Sequence, residues 1–165
     1  MNVEETKKIA LSLIETFKKA GQVALDLRKA GLKNEIKSDN TPVSNGDIEV
    51  NKILTNKIKE ITPNIAIVSE ESANHKMDSD LNNFWLIDPI DGTRDYINNR
   101  DEFTLNAALI LDKKPVIGII TAPAKERIFY SYGLSHSYEL MDNQEIELIN
   151  KKKKLQCNNC RKLFK

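Results

Sequence analysis

Apolar residues recur every three or four positions in the first third of the chain and every second position further on, so a helical part precedes a strand-rich part. Ile9, Leu13, Phe17, Ala20 and Ala24 make one stripe across residues 3–30, with lysines and glutamates between them. This predicts a long amphipathic helix that Gly31 stops. After a polar stretch to Ser44, the residues Ile48, Leu54, Ile58 and Ile61 predict a second helix, which Pro63 ends. Asp47 falls in its first turn, where the helix dipole favours a carboxylate.

Beyond Pro63 the runs Ile65–Val68, Phe84–Ile87, Phe103–Leu111, Val116–Thr121 and Arg127–Tyr132 are β-branched or aromatic and broken by turn residues. Lys113-Lys114-Pro115 suits a hairpin connection, and a last hairpin is expected through Tyr138–Leu140 and Glu145–Ile149 around Asp142-Asn143. The simplest architecture is an α+β fold with two N-terminal helices packed on an antiparallel sheet. Residues 150–165 lose the pattern, so a domain over 1–149 followed by a polar, mobile tail is expected.

With 165 residues there is room for one ordinary domain. Lys+Arg 25 against Asp+Glu 24 leaves a net charge of +1, so no global field draws nucleic acid or an anionic membrane, and any anion must be recognised locally. There is neither a run of 18 apolar residues nor a signal-like N-terminus, which predicts a soluble, cytoplasmic protein. Cys157 and Cys160 lie together in the tail and form no disulfide framework. Their spacing is half of a zinc site, which His75 and His136 are not spaced to complete. The run Lys151–Lys154 reads as a solvated tail, with a phosphate-rich partner as the alternative.

The densest chemistry lies where the apolar run Phe84–Ile87 ends in Asp88, followed by Pro89, Ile90, Asp91, Gly92 and Thr93. Pro89 bars a helix over Asp88, and Gly92 permits a sharp turn. Glu70 also follows a predicted strand, so one rim of the sheet could gather three carboxylates. Held close they repel unless a cation neutralises them, and magnesium takes such ligands. The alternative is a set of solvated loop acids. Thr93 could orient a water or simply cap a short helix over 94–98. Glu71 is expected to face solvent.

Trp85 to Tyr96 fits W-[IVL]-[IVL]-D-P-[IL]-D-G-T-x-x-[FY] at every fixed position, with Ser38–Asp47 and Ser69–Ser72 as ordered blocks upstream. These segments resemble the inositol monophosphatase family, the magnesium-dependent, lithium-sensitive phosphatases. Residues 102–110, EFTLNAALI, look most like its 3'(2'),5'-bisphosphate nucleotidase branch. The resemblance covers about Val3 to Leu140 and implies the N-terminal half of the family's αβαβα sandwich. It implies a phosphomonoesterase using magnesium, or manganese in its place, on a small phosphorylated substrate, 3'-phosphoadenosine 5'-phosphate. By resemblance Glu70, Asp88 and the carbonyl of Ile90 bind one metal, and Asp88 and Asp91 bind a second. Thr93, with Asp47 or Glu70, activates the water, and Gly92 and Thr93 hold the phosphate.

Departures from the family pattern are Ser44 where threonine is commoner, Gly46 where alanine is, and Tyr96 where phenylalanine is. A W-D-x-A-A-G-like block, whose aspartate completes the second metal site in the family's C-terminal α/β domain, does not occur in this sequence. Two alternatives follow: a catalytically weak or inactive remnant that binds metal or a partner, and an inositol-1-phosphate phosphatase. Without that domain, self-association or a partner chain is expected to cover an apolar face.

Overall fold

The computed structural model describes residues 1–36, 42–71, 81–142 and 144–148. The expectations that rest on Ser38–Thr41, Ser72, His75, Asn143, Lys151–Lys154, Cys157, Cys160 and the tail from 150 lie outside these residues. Helix α1 runs Val3–Ala30 and α2 runs Asn45–Ile61, with the short pair β1 (Asn34–Ile36) and β2 (Pro42–Ser44) between them. Strands β3 (Ala66–Ser69), β4 (Phe84–Asp91), β5 (Thr104–Leu111), β6 (Lys114–Ala122), β7 (Arg127–Tyr132), β8 (His136–Met141) and β9 (Gln144–Glu147) form one sheet in that order. A five-residue helix, α3 (Thr93–Ile97), interrupts the path from β4 to β5.

The two long helices each start on a side-chain cap. Asn2 accepts from the Glu5 N–H while Glu5 answers the Asn2 N–H, and Ser44 and Asp47 do the same for α2. Gly31 ends α1 at φ +98°, a conformation glycine adopts without strain. The buried stripe of α1 is Leu13, Phe17, Ala20 and Ala24, with Ile9 only partly covered. In α2 the buried line is Val50, Leu54 and Ile58, spaced by four, whereas Ile48 is 55% exposed. The expectation for Ile48 is therefore corrected: it lies off the line that a four-residue repeat draws.

The sheet departs from the antiparallel expectation at one pair. Six neighbouring strand pairs would all be antiparallel in a meander, but β3 runs parallel to β4, with Ser69 opposite Ile87. Parallel neighbours need a crossover of about a dozen residues or more, and residues 70–83 are long enough to provide one. The turn between β5 and β6 falls at Asp112 and Lys113, both at positive φ, so Lys114 and Pro115 belong to β6 rather than to the connection.

One face of the sheet is packed under the helices. Trp85 and Ile87 of β4, Leu105 and Leu109 of β5, and Ile117 and Ile119 of β6 are buried there. Trp85 also donates its indole N–H to Thr62 just beyond α2, at 3.0 Å. On the other face Leu86 and Ile120 are 45% and 46% exposed.

The two departures at Gly46 and Tyr96 are one feature. A Cβ on Gly46 would lie 2.7 Å from Tyr96 Cε1 and closer still to the Tyr96 hydroxyl. That hydroxyl is buried, donates to the Ala24 carbonyl at 2.7 Å and so ties α3 to α1 across the start of α2. Tyrosine thus fills the space that a methyl on residue 46 would need. We expect Gly46→Ala to cost about 1–3 kcal/mol by overpacking. Tyr96→Phe alone should cost about 1 kcal/mol for the lost hydrogen bond, and in that background the ring is free to shift and the Gly46→Ala penalty should shrink. Denaturant unfolding of the four variants measures the cycle, and equal penalties in both backgrounds would refute the pairing.

Candidate active site

The parallel alignment of β3 and β4 carries both strands to the same rim. Ser69, fully buried, donates its hydroxyl to Asn51 of α2 at 2.6 Å, and the next residue, Glu70, gives its backbone N–H to the Ile87 carbonyl at 3.1 Å. Glu70 is therefore pinned beside Asp88, with its side chain exposed at the rim. Glu71, expected in solvent, is instead half-buried and engaged.

A bulge then sets the remaining acids. Asp88 pairs with Asn106, but the next partners on the two strands are Asp91 and Thr104, so β4 takes three steps where β5 takes two. Residues three apart on a regular strand point to opposite faces; the extra residue brings Asp88 and Asp91 to the same one. Pro89, which has no N–H to offer a ladder, sits within that irregular stretch. Gly92 follows at φ +90°, and a Cβ on it would lie 2.7 Å from the Glu102 carbonyl oxygen. The 98–103 segment that presses against it is held by Arg28 of α1, which donates to the Arg100 carbonyl at 2.6 Å and the Asp101 carboxylate at 2.9 Å.

From the opposite side α2 delivers Asp47, 1% exposed. Its Oδ2 accepts from the Ser44 N–H at 2.8 Å and the Ser44 hydroxyl at 2.6 Å. Its Oδ1 lies 3.0 Å from the Thr93 hydroxyl, which is also 2.9 Å from the Ile90 carbonyl. Thr93 is the first residue of α3 and Gly92 is its N-cap, with no side-chain cap bond. The capping alternative for Thr93 is thus not what the geometry shows; its hydroxyl points back to Asp47 and Ile90.

Asp88 is where the acids meet electrostatically. Burial, then the charges of Glu70 and Asp91, a hydrogen bond with Glu70 and the charge of Asp47 push its carboxyl up to about 7. Its Oδ1 is closed off from solvent and has no hydrogen-bond partner. A carboxylate oxygen without a donor, among other carboxylates, fits a divalent cation and little else. Among the described residues no three acids converge into a finished ligand set; they surround Asp88, as mutually repelling carboxylates do. Glu70, Asp88, Asp91 and the Ile90 carbonyl are the groups that could hold a cation. That carbonyl has a second lone pair beyond the one Thr93 uses.

Two supporting residues were given no role in the site from the sequence. Ser44 was legible through the Ser44-x-x-Asp47 capping pattern. Asn106 was a polar residue inside the apolar run of β5, and its amide N–H reaches Asp91 Oδ2 at 3.4 Å.

The raised Asp88 carboxyl has a sign that can be checked. In the folded chain it holds its proton to about 7 against an ordinary 3.8, so without cations the fold loses stability as pH rises across that window. Thermal midpoints at pH 5 and pH 8 in chelator should show the decline. Magnesium should raise the pH 8 midpoint more than the pH 5 one, and Asp88→Asn should flatten the slope. A slope unchanged in Asp88→Asn would contradict this origin.

Residues 3–163 match the family model described as the inositol monophosphatase family. The chain is similar to the 3'(2'),5'-bisphosphate nucleotidase CysQ of Aggregatibacter actinomycetemcomitans, 32% identical over 145 residues that make up 87% of this chain and 54% of that protein. The solved structure of CysQ from Bacteroides thetaiotaomicron superposes with a TM-score of 0.60 at 28% identity, over 81% of this chain and 49% of that one. An IMPase/NADP phosphatase solved in complex with Mg2+ and phosphate shares the fold, with a TM-score of 0.69 at 17% identity, covering 83% and 51%. The chain thus spans about half the length of the relatives it matches. Among the described residues no helix is long and apolar enough to cross a membrane. The motif block from Trp85 to Tyr96, the match over residues 3–163 and the shared fold make this chain a member of the inositol monophosphatase family.

Proposed function

We propose that the chain carries the cation-binding part of a magnesium-dependent phosphomonoesterase of the 3'(2'),5'-bisphosphate nucleotidase type, a cytoplasmic enzyme that removes the 3'-phosphate of 3'-phosphoadenosine 5'-phosphate. The observation that carries it is Oδ1 of Asp88, closed off and without a donor amid Glu70, Asp91 and Asp47. The similarity to the two CysQ proteins supports the nucleotide branch.

Magnesium, held by Glu70, Asp88, Asp91 and the Ile90 carbonyl, would supply the positive charge that a phosphate and a departing alkoxide require. The protein groups do the rest. Thr93 shares its proton between Asp47 Oδ1 and the Ile90 carbonyl, which leaves its oxygen free to accept from an attacking water. As the water oxygen bonds to phosphorus and the phosphorus–oxygen bond to the 3' carbon breaks, the water's proton passes toward Thr93 and on to Asp47. Asp47 can take it because Ser44 holds the other carboxylate oxygen in place. Gly92 and Thr93 would hold the phosphate, at a turn that only glycine fits because a Cβ there would meet the Glu102 carbonyl.

A second reading is a chain that binds cations but turns over little. It is favoured by the part-exposed Leu86 and Ile120, a face that a second copy or another chain would cover. One set of measurements separates the two. With magnesium present, phosphate release from 3'-phosphoadenosine 5'-phosphate should exceed that from inositol 1-phosphate; the reverse order would remove the branch assignment. On the second reading magnesium binds while phosphate release from both substrates stays near the background rate. Calorimetric titration should show Asp88→Ala weakening magnesium binding more than Asp91→Ala, because Asp88 is the shared ligand. Wild-type binding by both would reduce the acids to ordinary surface groups.

A further inference from the structure

Asn106 stands in the middle of β5, opposite Asp88 in register and on the same sheet face. Cross-strand partners of this kind have Cβ atoms about 4.5–5.5 Å apart. Its amide nitrogen donates to Asp91 Oδ2 at 3.4 Å, and its amide oxygen is closed off from solvent with no donor. The orientation is set by chemistry, since turning the amide over would place its oxygen against the Asp91 carboxylate. Two acceptor oxygens without donors, Oδ1 of Asp88 and Oδ1 of Asn106, therefore sit on adjacent strands. A residue with the β preference of valine would suit an apolar strand here; an asparagine left half-satisfied is costly unless something meets its oxygen.

We propose that Asn106 is a positioning residue of the cation site: its amide N–H holds the Asp91 carboxylate in place from the position opposite Asp88, and its neutral side chain adds no charge to the rim. This rests on the cation-site reading above and adds to it a residue on a different strand. A neutral side chain is the suitable choice, because a further carboxylate would add to the repulsion already focused on Asp88.

The test is a double-mutant cycle read by manganese binding, followed through the electron-paramagnetic-resonance signal of free Mn2+, with metal-free thermal midpoints measured alongside. Asn106→Ala should weaken binding about 10–100-fold, the usual cost of losing a group that orients a metal ligand. In an Asp91→Ala background the same change should cost less than about 3-fold, because Asn106 acts through Asp91. Asn106→Leu, which restores volume and suits a strand, should bind as weakly as Asn106→Ala. Wild-type affinity in Asn106→Ala, losses that simply multiply, or recovery of binding in Asn106→Leu would each overturn the proposal while leaving the cation site standing. A wild-type chain that binds no manganese would overturn the site itself and this inference with it.

Discussion

A single buried carboxylate joins the two halves of the candidate site. One oxygen of Asp47 completes the cap of α2 through Ser44, and the other holds the Thr93 hydroxyl at the start of α3. The helix-packed core and the acidic loop therefore share one hydrogen-bonded group, 1% exposed. Such a group cannot be removed cheaply, because the Ser44 N–H, the Ser44 hydroxyl and the Thr93 hydroxyl would lose their acceptor together, and the Ser44 oxygen that accepts from Gly46 and Asp47 would lose its anchor. It also explains how the Thr93 hydroxyl can be held in a fixed place by a five-residue helix, which has little stability of its own. The rigidity of α3 is borrowed from α2 through Asp47 and from α1 through the Tyr96 hydroxyl.

The acids on the other side are brought together by two irregularities. A fully antiparallel meander would send β3 and β4 to opposite rims and separate Glu70 from Asp88; the parallel pair sends them to one. A regular β4 would turn Asp88 and Asp91 to opposite faces; the bulge across Pro89 and Ile90 turns them to one. Both features lower the regularity of the sheet, and both concentrate like charge. Their stability comes from the opposite face of the same strand, where Trp85 and Ile87 are buried under the helices.

Much of this was legible in the sequence and some was not, for separable reasons. The helix spans, the strand runs and the carboxylate block from Asp88 to Thr93 follow from period and composition, and the structure has them within a few residues. Ile48 was misplaced because apolar character is not position: only Val50, Leu54 and Ile58 keep the four-residue step. The parallel direction of β3 is not written in its four residues, and only the length of 70–83 hinted at it. Thr93 shows the same limit, since threonine next to a helix start suits a cap equally well, and only the fold aims its hydroxyl at Asp47. The paired departures at Gly46 and Tyr96, fifty residues apart, become one substitution only when the chain brings them into contact.

The electrostatics give the site its direction of action. In the bare chain the rim is a cost, because ionising Asp88 means placing a charge in a half-buried spot against Glu70, Asp91 and Asp47. That cost is also a reserve of binding energy, since a cation that neutralises the cluster relieves repulsion in addition to making its own contacts. The arrangement therefore favours positive charge: a neutral donor could meet the orphaned Asp88 oxygen, but only a cation also relieves the repulsion around it. On the proposed function a phosphate, itself an anion, would be repelled by the same rim until a cation was present, so the cation would be needed first and the phosphate would follow.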